Sequence, residues 1–422
     1  MPAATPIPRG PTVLTLYTAA DLLTGPGCPV CRYAGEASDR YLAWFALEAH
    51  GDAVTITRLC SSLGMCGRHT RALMSQPGAA ARLTAVCRYV VGEARSRLGG
   101  RAAPMAACPA CEHDDGAVGR ALDTLLEGLA GDPVRERYRE LGGLCIPHLG
   151  AASARGRHRD LTWLSQTMVA AAAARPASLR WLAGTDRDAD VRAVLRQAAP
   201  DRAGSGSGVC RACLAAARSE NTRLTQILRT ADGGQRDGRL LLCAGHLGDL
   251  VVLAGQRDAA SVLAWQAGCL AAGLIRRAVP PGRKLVIPVG WLRSGRRRAA
   301  GPDGCLVCLA SHNAAHRAVD GLRTSLRASP AASHRQAPLC VRHLLDLRAA
   351  DPWAGHATAR GAVARADILI AELDEAFSKN TWARRHEARG PEMTAWRRAA
   401  AFCDGSVFCG CPPHDSTPTS AH

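Results

Sequence analysis

The sequence predicts a mainly α-helical protein of four divergent modules, each clamped by a metal site. Three observations lead there. A C-x2-C pair followed at a distance by a C-x2-H pair occurs four times. Apolar residues between and after those pairs recur at three- and four-residue steps. Aromatic residues make up only 4% of the 422 residues while alanine is abundant, and small apolar side chains suit helix packing better than sheet packing.

The paired motifs are Cys28/Cys31 with Cys66/His69, Cys108/Cys111 with Cys145/His148, Cys210/Cys213 with Cys243/His246, and Cys305/Cys308 with Cys340/His343. The intervening stretches hold 34, 33, 29 and 31 residues. Random placement at this composition gives roughly 0.8 C-x2-C pairs and roughly 0.6 C-x2-H pairs. Four and five are present, alternating in order.

A tetrahedral zinc ion takes four thiolate or imidazole donors at about 2.0 to 2.3 Å. Ligands three positions apart on a tight turn or helix start point to one side of the backbone, so each pair is a bidentate half-site. Two helix amino ends brought to one ion also favour thiolate over thiol. The simplest arrangement pairs each C-x2-C with the C-x2-H that follows it, giving four closed Cys3His sites and four zinc ions. Met65, Leu144, Leu242 and Leu339, each just before a third cysteine, are expected to point into the core.

The elements follow from periodicity. Val118, Leu122, Leu125, Leu126 and Leu129 define one helix; Leu224, Ile227 and Leu228 another; Val319, Leu322 and Leu326 a third. After the C-x2-H pairs come further amphipathic runs: Leu83, Val86, Cys87, Val90 and Val91; Val262, Trp265 and Cys269; Val363, Ile370, Leu373 and Phe377. Glycine and proline at 203–208 and 280–284 read as linkers, and residues 284–292 as a short extended piece. The modules are then residues 1–100, 101–200, 209–279 and 301–402, with a cysteine-containing tail at 403–422. In that tail Cys403, Cys409, Cys411 and His414 offer a fifth metal site. Cys87 and Cys269 read as core residues and Cys60 as a buried thiol.

Composition narrows the function. The net charge of +17 suits a nucleic-acid partner, and the surfaces for it are Trp291, Arg293, Arg296, Arg297 and Arg298 and the tryptophan–arginine stretches at 379–390 and 395–400. Lys284 and Lys379 are the only lysines, so the charge is also what an arginine-rich compositional bias produces. Neither a secretory signal nor an eighteen-residue apolar run is visible, predicting a cytoplasmic protein with no membrane insertion. In a reducing compartment cysteines serve metals rather than disulfides.

A catalytic zinc needs an open position, which four protein ligands close; the acidic Glu112–Asp115 stretch beside Cys111 offers a general base, but charges at a helix start routinely serve the helix dipole. A dithiol redox role lacks its βαβ context. Iron–sulfur ligation by the same donors is an alternative. The reading is a non-catalytic binding or scaffold module for a protein or peptide partner.

The repeated CPxC…GLCxxH layout, carried by Cys28, Cys31, Cys66, His69 and their counterparts, resembles an uncharacterised bacterial family of domains of unknown function, as does the closing EMTAWRRAAAF. The likeness spans most of the chain and implies no activity. The third and fourth units lack the proline after the first cysteine.

Overall fold

A computed structural model of the chain describes residues 12–174 (apart from 77, 101, 102 and 157), 179–184, 190, 195, 209–231, 242–278, 305–329 and 339–408. Among them every regular element is helical and none is a strand. The helices are α1 (Val13–Leu22), α2 (Pro29–Leu47), α3 (Ala53–Ser61), α4 (Gly67–Met74), α5 (Ala79–Leu98), α6 (Pro109–Gly128), α7 (Asp132–Leu141), α8 (Ile146–Ala152) and α9 (His158–Ala174) in the first half. The second half has α10 (Arg211–Ala231), α11 (Ala244–Ala278), α12 (Leu306–Ala328), α13 (Val341–Ala350), α14 (Pro352–Lys379) and α15 (Ala395–Cys403). Short 3₁₀ turns lie at Arg180–Ala183 and Gly405–Phe408. The linkers at 203–208 and 280–284, the extended piece at 284–292, the basic stretch at 291–298, and Cys409, Cys411 and His414 fall outside the described residues.

The chain forms two compact units, each assembled from three stretches. One comprises Met1–Ala37, Asp114–Arg187 and Gln226–Cys305; the other Ser38–His113, Asp188–Thr225 and Leu306–His422. In the first, α11 packs along α9, on α8 and on the 3₁₀ turn at Arg180–Ala183, while α1 lies against α7. In the second, α5 is the central rod, flanked by α14, α15 and α3, with α13 laid on α14.

The expected apolar stripes are the ones that bury. Leu122 and Leu125 on α6 with Leu129 just beyond its end, Leu83, Val86, Val90 and Val91 on α5, and Val319, Leu322 and Leu326 on α12 are all core residues. Phe377, placed on the same stripe as Leu373, is half-exposed instead: α14 packs mainly through alanine and leucine, and its last turn lies at the rim.

Helix starts are set by the metal-ligand motifs themselves. Cys66, Cys145 and Cys340 are the N-cap residues of α4, α8 and α13, with φ of −64°, −67° and −72° and ψ of 164°, 165° and 164°. The carbonyl of each accepts the first helical N–H, from Thr70, Leu149 and Leu344, at 2.9 to 3.0 Å. Cys28, Cys108 and Cys210 accept from Arg32, Glu112 and Leu214 in the same way. The second ligand of each pair therefore stands at the third helical position, where an N-cap side chain naturally reaches.

Candidate metal centres

All sixteen predicted ligands come together in four groups, each of three cysteines and one histidine, with the ligand atoms of a group lying within 4.8 Å of one another. The partners are not those expected. Cys28 and Cys31 join Cys145 and His148; Cys66 and His69 join Cys108 and Cys111; Cys210 and Cys213 join Cys340 and His343; Cys243 and His246 join Cys305 and Cys308. The pairing of each C-x2-C with the next C-x2-H is thus overturned. In each half of the chain one inner group nests inside one outer group.

Helix length explains the correction. The 19 residues of α2 carry the chain about 28 Å from Cys28, while the 9 residues of α3 return it only about 13 Å. The 20 residues of α6 and the 10 of α7 leave a similar shortfall of about 15 Å before Cys145. Equal residue counts between motifs concealed unequal helices.

The geometry within the groups is that of a tetrahedron. Donors at about 2.3 Å from a common centre are separated by roughly 3.8 Å when both are sulfur, and slightly less when one is nitrogen. Cys31 and Cys145 sulfurs are 3.7 Å apart, Cys66 and Cys111 3.7 Å, and Cys213 and Cys340 3.9 Å. Histidine presents Nδ1 in every group: His148 Nδ1 is 3.4, 3.3 and 3.2 Å from Cys28, Cys31 and Cys145. His69 Nδ1 is 3.4 to 3.6 Å from Cys66, Cys108 and Cys111, and His343 Nδ1 3.2 to 3.6 Å from Cys210, Cys213 and Cys340. His246 Nδ1 stands 3.2 Å from Cys243 and 3.3 Å from Cys305.

Two of the groups are closed from the side as well. Gly184, with φ of +83° and ψ of −178°, brings bare backbone so close that a Cβ there would sit 3.2 Å from both Cys31 and Cys145 sulfurs. Gly405 covers the Cys210 group similarly; a Cβ would meet the Cys210 Cβ at 2.7 Å and the Cys213 sulfur at 2.9 Å.

The residue before each third cysteine is buried, as expected for Met65, Leu144, Leu242 and Leu339. Its buried backbone polar groups then need partners, and four unrelated side chains provide them. Thr70 Oγ1 donates to the Met65 carbonyl, and the Tyr138 hydroxyl accepts from the Leu144 amide at 2.8 Å. Gln266 takes both Leu242 groups, accepting from its amide and donating to its carbonyl at 2.8 Å, while Arg365 donates to the Leu339 carbonyl. These positioning residues share no type or spacing, so the sequence gives no signal for them beyond Gln266, a polar residue within an apolar run.

In three of the groups the electrostatics hold some thiols low and others high. Hydrogen bonds from Cys111 and Cys66, outweighing burial and aided by His69, hold Cys108 far below the ordinary thiol range. Hydrogen bonds from Cys210 and Cys213 do the same for Cys340. Cys111, bonded to Cys108 and Cys66, is pushed far up, and burial raises Cys145. Three thiolates crowded together repel one another; a dication at the centre would remove that conflict, because metal replaces protons. Arg342, beside the ligand His343, donates to the Ser62 carbonyl and pairs with Asp404 at 3.4 Å. Burial would discharge it, but Asp404 and the Cys340, Cys66 and Cys108 sulfurs keep it firmly cationic.

Other expected residues find structural employment. Glu112 pairs with Arg58 at 2.5 Å and His113 stacks on Tyr41, centroids 4.7 Å apart. Cys87 packs against the core, where burial pushes its thiol up to about 12. Cys403 is fully enclosed, and Cys60 and Cys269 are half-buried. In the tryptophan–arginine stretches, Trp396 is core, Arg384 is bound by Glu375 and Glu387, and Arg398 by Glu372. Trp382 is exposed with Arg385 over its ring. Among the described residues no helix is long and apolar enough to cross a membrane.

No family model, curated protein or solved structure matches the chain.

Proposed function

We propose that the chain is a zinc-stabilised helical repeat protein that holds a protein or peptide partner and has no catalytic centre at its metals. The observation that carries this is the completeness of the four groups. Each supplies four protein donors at tetrahedral separations, leaving no coordination position for water or substrate. Three thiolates and a neutral imidazole select zinc over harder ions. Among the described residues the cysteines form no disulfide, which suits a reducing compartment.

The partner reading draws on exposed apolar surface. Val13, Leu14 and Tyr17 lie on one face of α1 and are 85%, 73% and 74% exposed. Surface of that kind marks an interaction site more often than it serves a monomer.

Elemental analysis of natively purified chain tests the metal: about four zinc ions per chain, and loss of helicity on chelation, since structural-zinc binding is worth about 10–16 kcal/mol of folding. A helical metal-free protein sinks the zinc reading, and iron with absorption at about 400 nm replaces it with clusters. For the partner, Val13→Asp with Tyr17→Asp should abolish its co-purification while zinc content stays the same; unchanged co-purification removes the proposed surface.

A further inference from the structure

Outside the four groups, one pair of side chains has the geometry of a metal site. His312 and His316 stand one turn apart on α12, one and two turns beyond Cys308, and both residues are exposed. Their Nε2 atoms are 3.1 Å apart, with ring centroids at 4.3 Å and planes at 56°. An ion about 2.05 Å from both nitrogens would see them at an angle of about 98°, between the octahedral and tetrahedral values. The rings converge through the same nitrogen, although each could face water instead.

Two imidazoles are borderline donors, suited to late first-row divalent ions and distinct from the sulfur-rich centres.

We propose that His312 and His316 form a solvent-accessible site for a late first-row divalent cation. The site binds and releases its ion at the surface, whereas the buried Cys3His groups retain theirs. It does not depend on what fills those groups.

Equilibrium dialysis of the untagged, zinc-loaded full chain against nickel(II) chloride, with nickel and zinc counted together, tests this. The wild type should take up one nickel with no loss of zinc. His312→Ala and His316→Ala should each weaken nickel binding by at least about tenfold, no less than the loss of a supporting group around a metal causes. Both histidines are exposed, so helicity and zinc content should remain those of the wild type. Nickel uptake with unchanged affinity in both histidine variants, or none by the wild type, overturns the proposal. A zinc count other than four bears only on the Cys3His centres.

Discussion

Cys28 and His148, 120 positions apart in the chain, meet at 3.4 Å between Sγ and Nδ1. Cys28 has no such relation to His69, the histidine of the next motif, which joins Cys108 and Cys111 instead.

Zinc counts on paired substitutions separate the two arrangements. Cys28→Ser and His148→Ala should each release about one metal, and the double variant should release the same one, because both residues serve a single centre. Cys28→Ser with His69→Ala should release two. A loss of only one from that second combination would restore the pairing of adjacent motifs.

Much of this was legible in the residue order. The sixteen ligands are named by spacing alone, and the helix type of the elements by their apolar steps. The connections between ligands were not legible, since they depend on how far α3 and α7 carry the chain back, and helix boundaries are the least determined part of a periodic pattern. Equally hidden were Thr70, Tyr138, Gln266 and Arg365. Each satisfies the same buried backbone position, but from a different distance along the chain and with different chemistry, so no motif records them. The pair at His312 and His316 did leave a signal, two histidines at helical spacing, which the more prominent cysteine motifs obscured.

Nesting orders the assembly of the centres. The inner group closes a loop of 38 residues between His69 and Cys108, the outer one a loop of 113 between Cys31 and Cys145. Loop-closure entropy favours the inner by about 1 kcal/mol, roughly a fivefold preference for metal in the unfolded chain. When zinc is added in sub-stoichiometric amounts to reduced, unfolded protein, Cys66, Cys108 and Cys111 should be protected from alkylation before Cys28, Cys31 and Cys145. Protection of the outer cysteines first would show that folded structure, not chain connectivity, directs loading.

Gly184 ties backbone conformation to the outer centre. Its φ of +83° with ψ of −178° is a region essentially restricted to glycine, and an added Cβ would press on two ligand sulfurs at 3.2 Å. Gly184→Ala should therefore cost about 1–3 kcal/mol of stability from backbone strain. The strain acts where Cys31 and Cys145 meet, so the variant should also lose metal from that centre sooner than wild type when challenged with a chelator. Chelator-release kinetics together with urea unfolding of the zinc-loaded protein measure both effects. Reduced stability with all metals released at the wild-type rate would mean that the turn after Ala183 supports the fold without guarding the sulfurs.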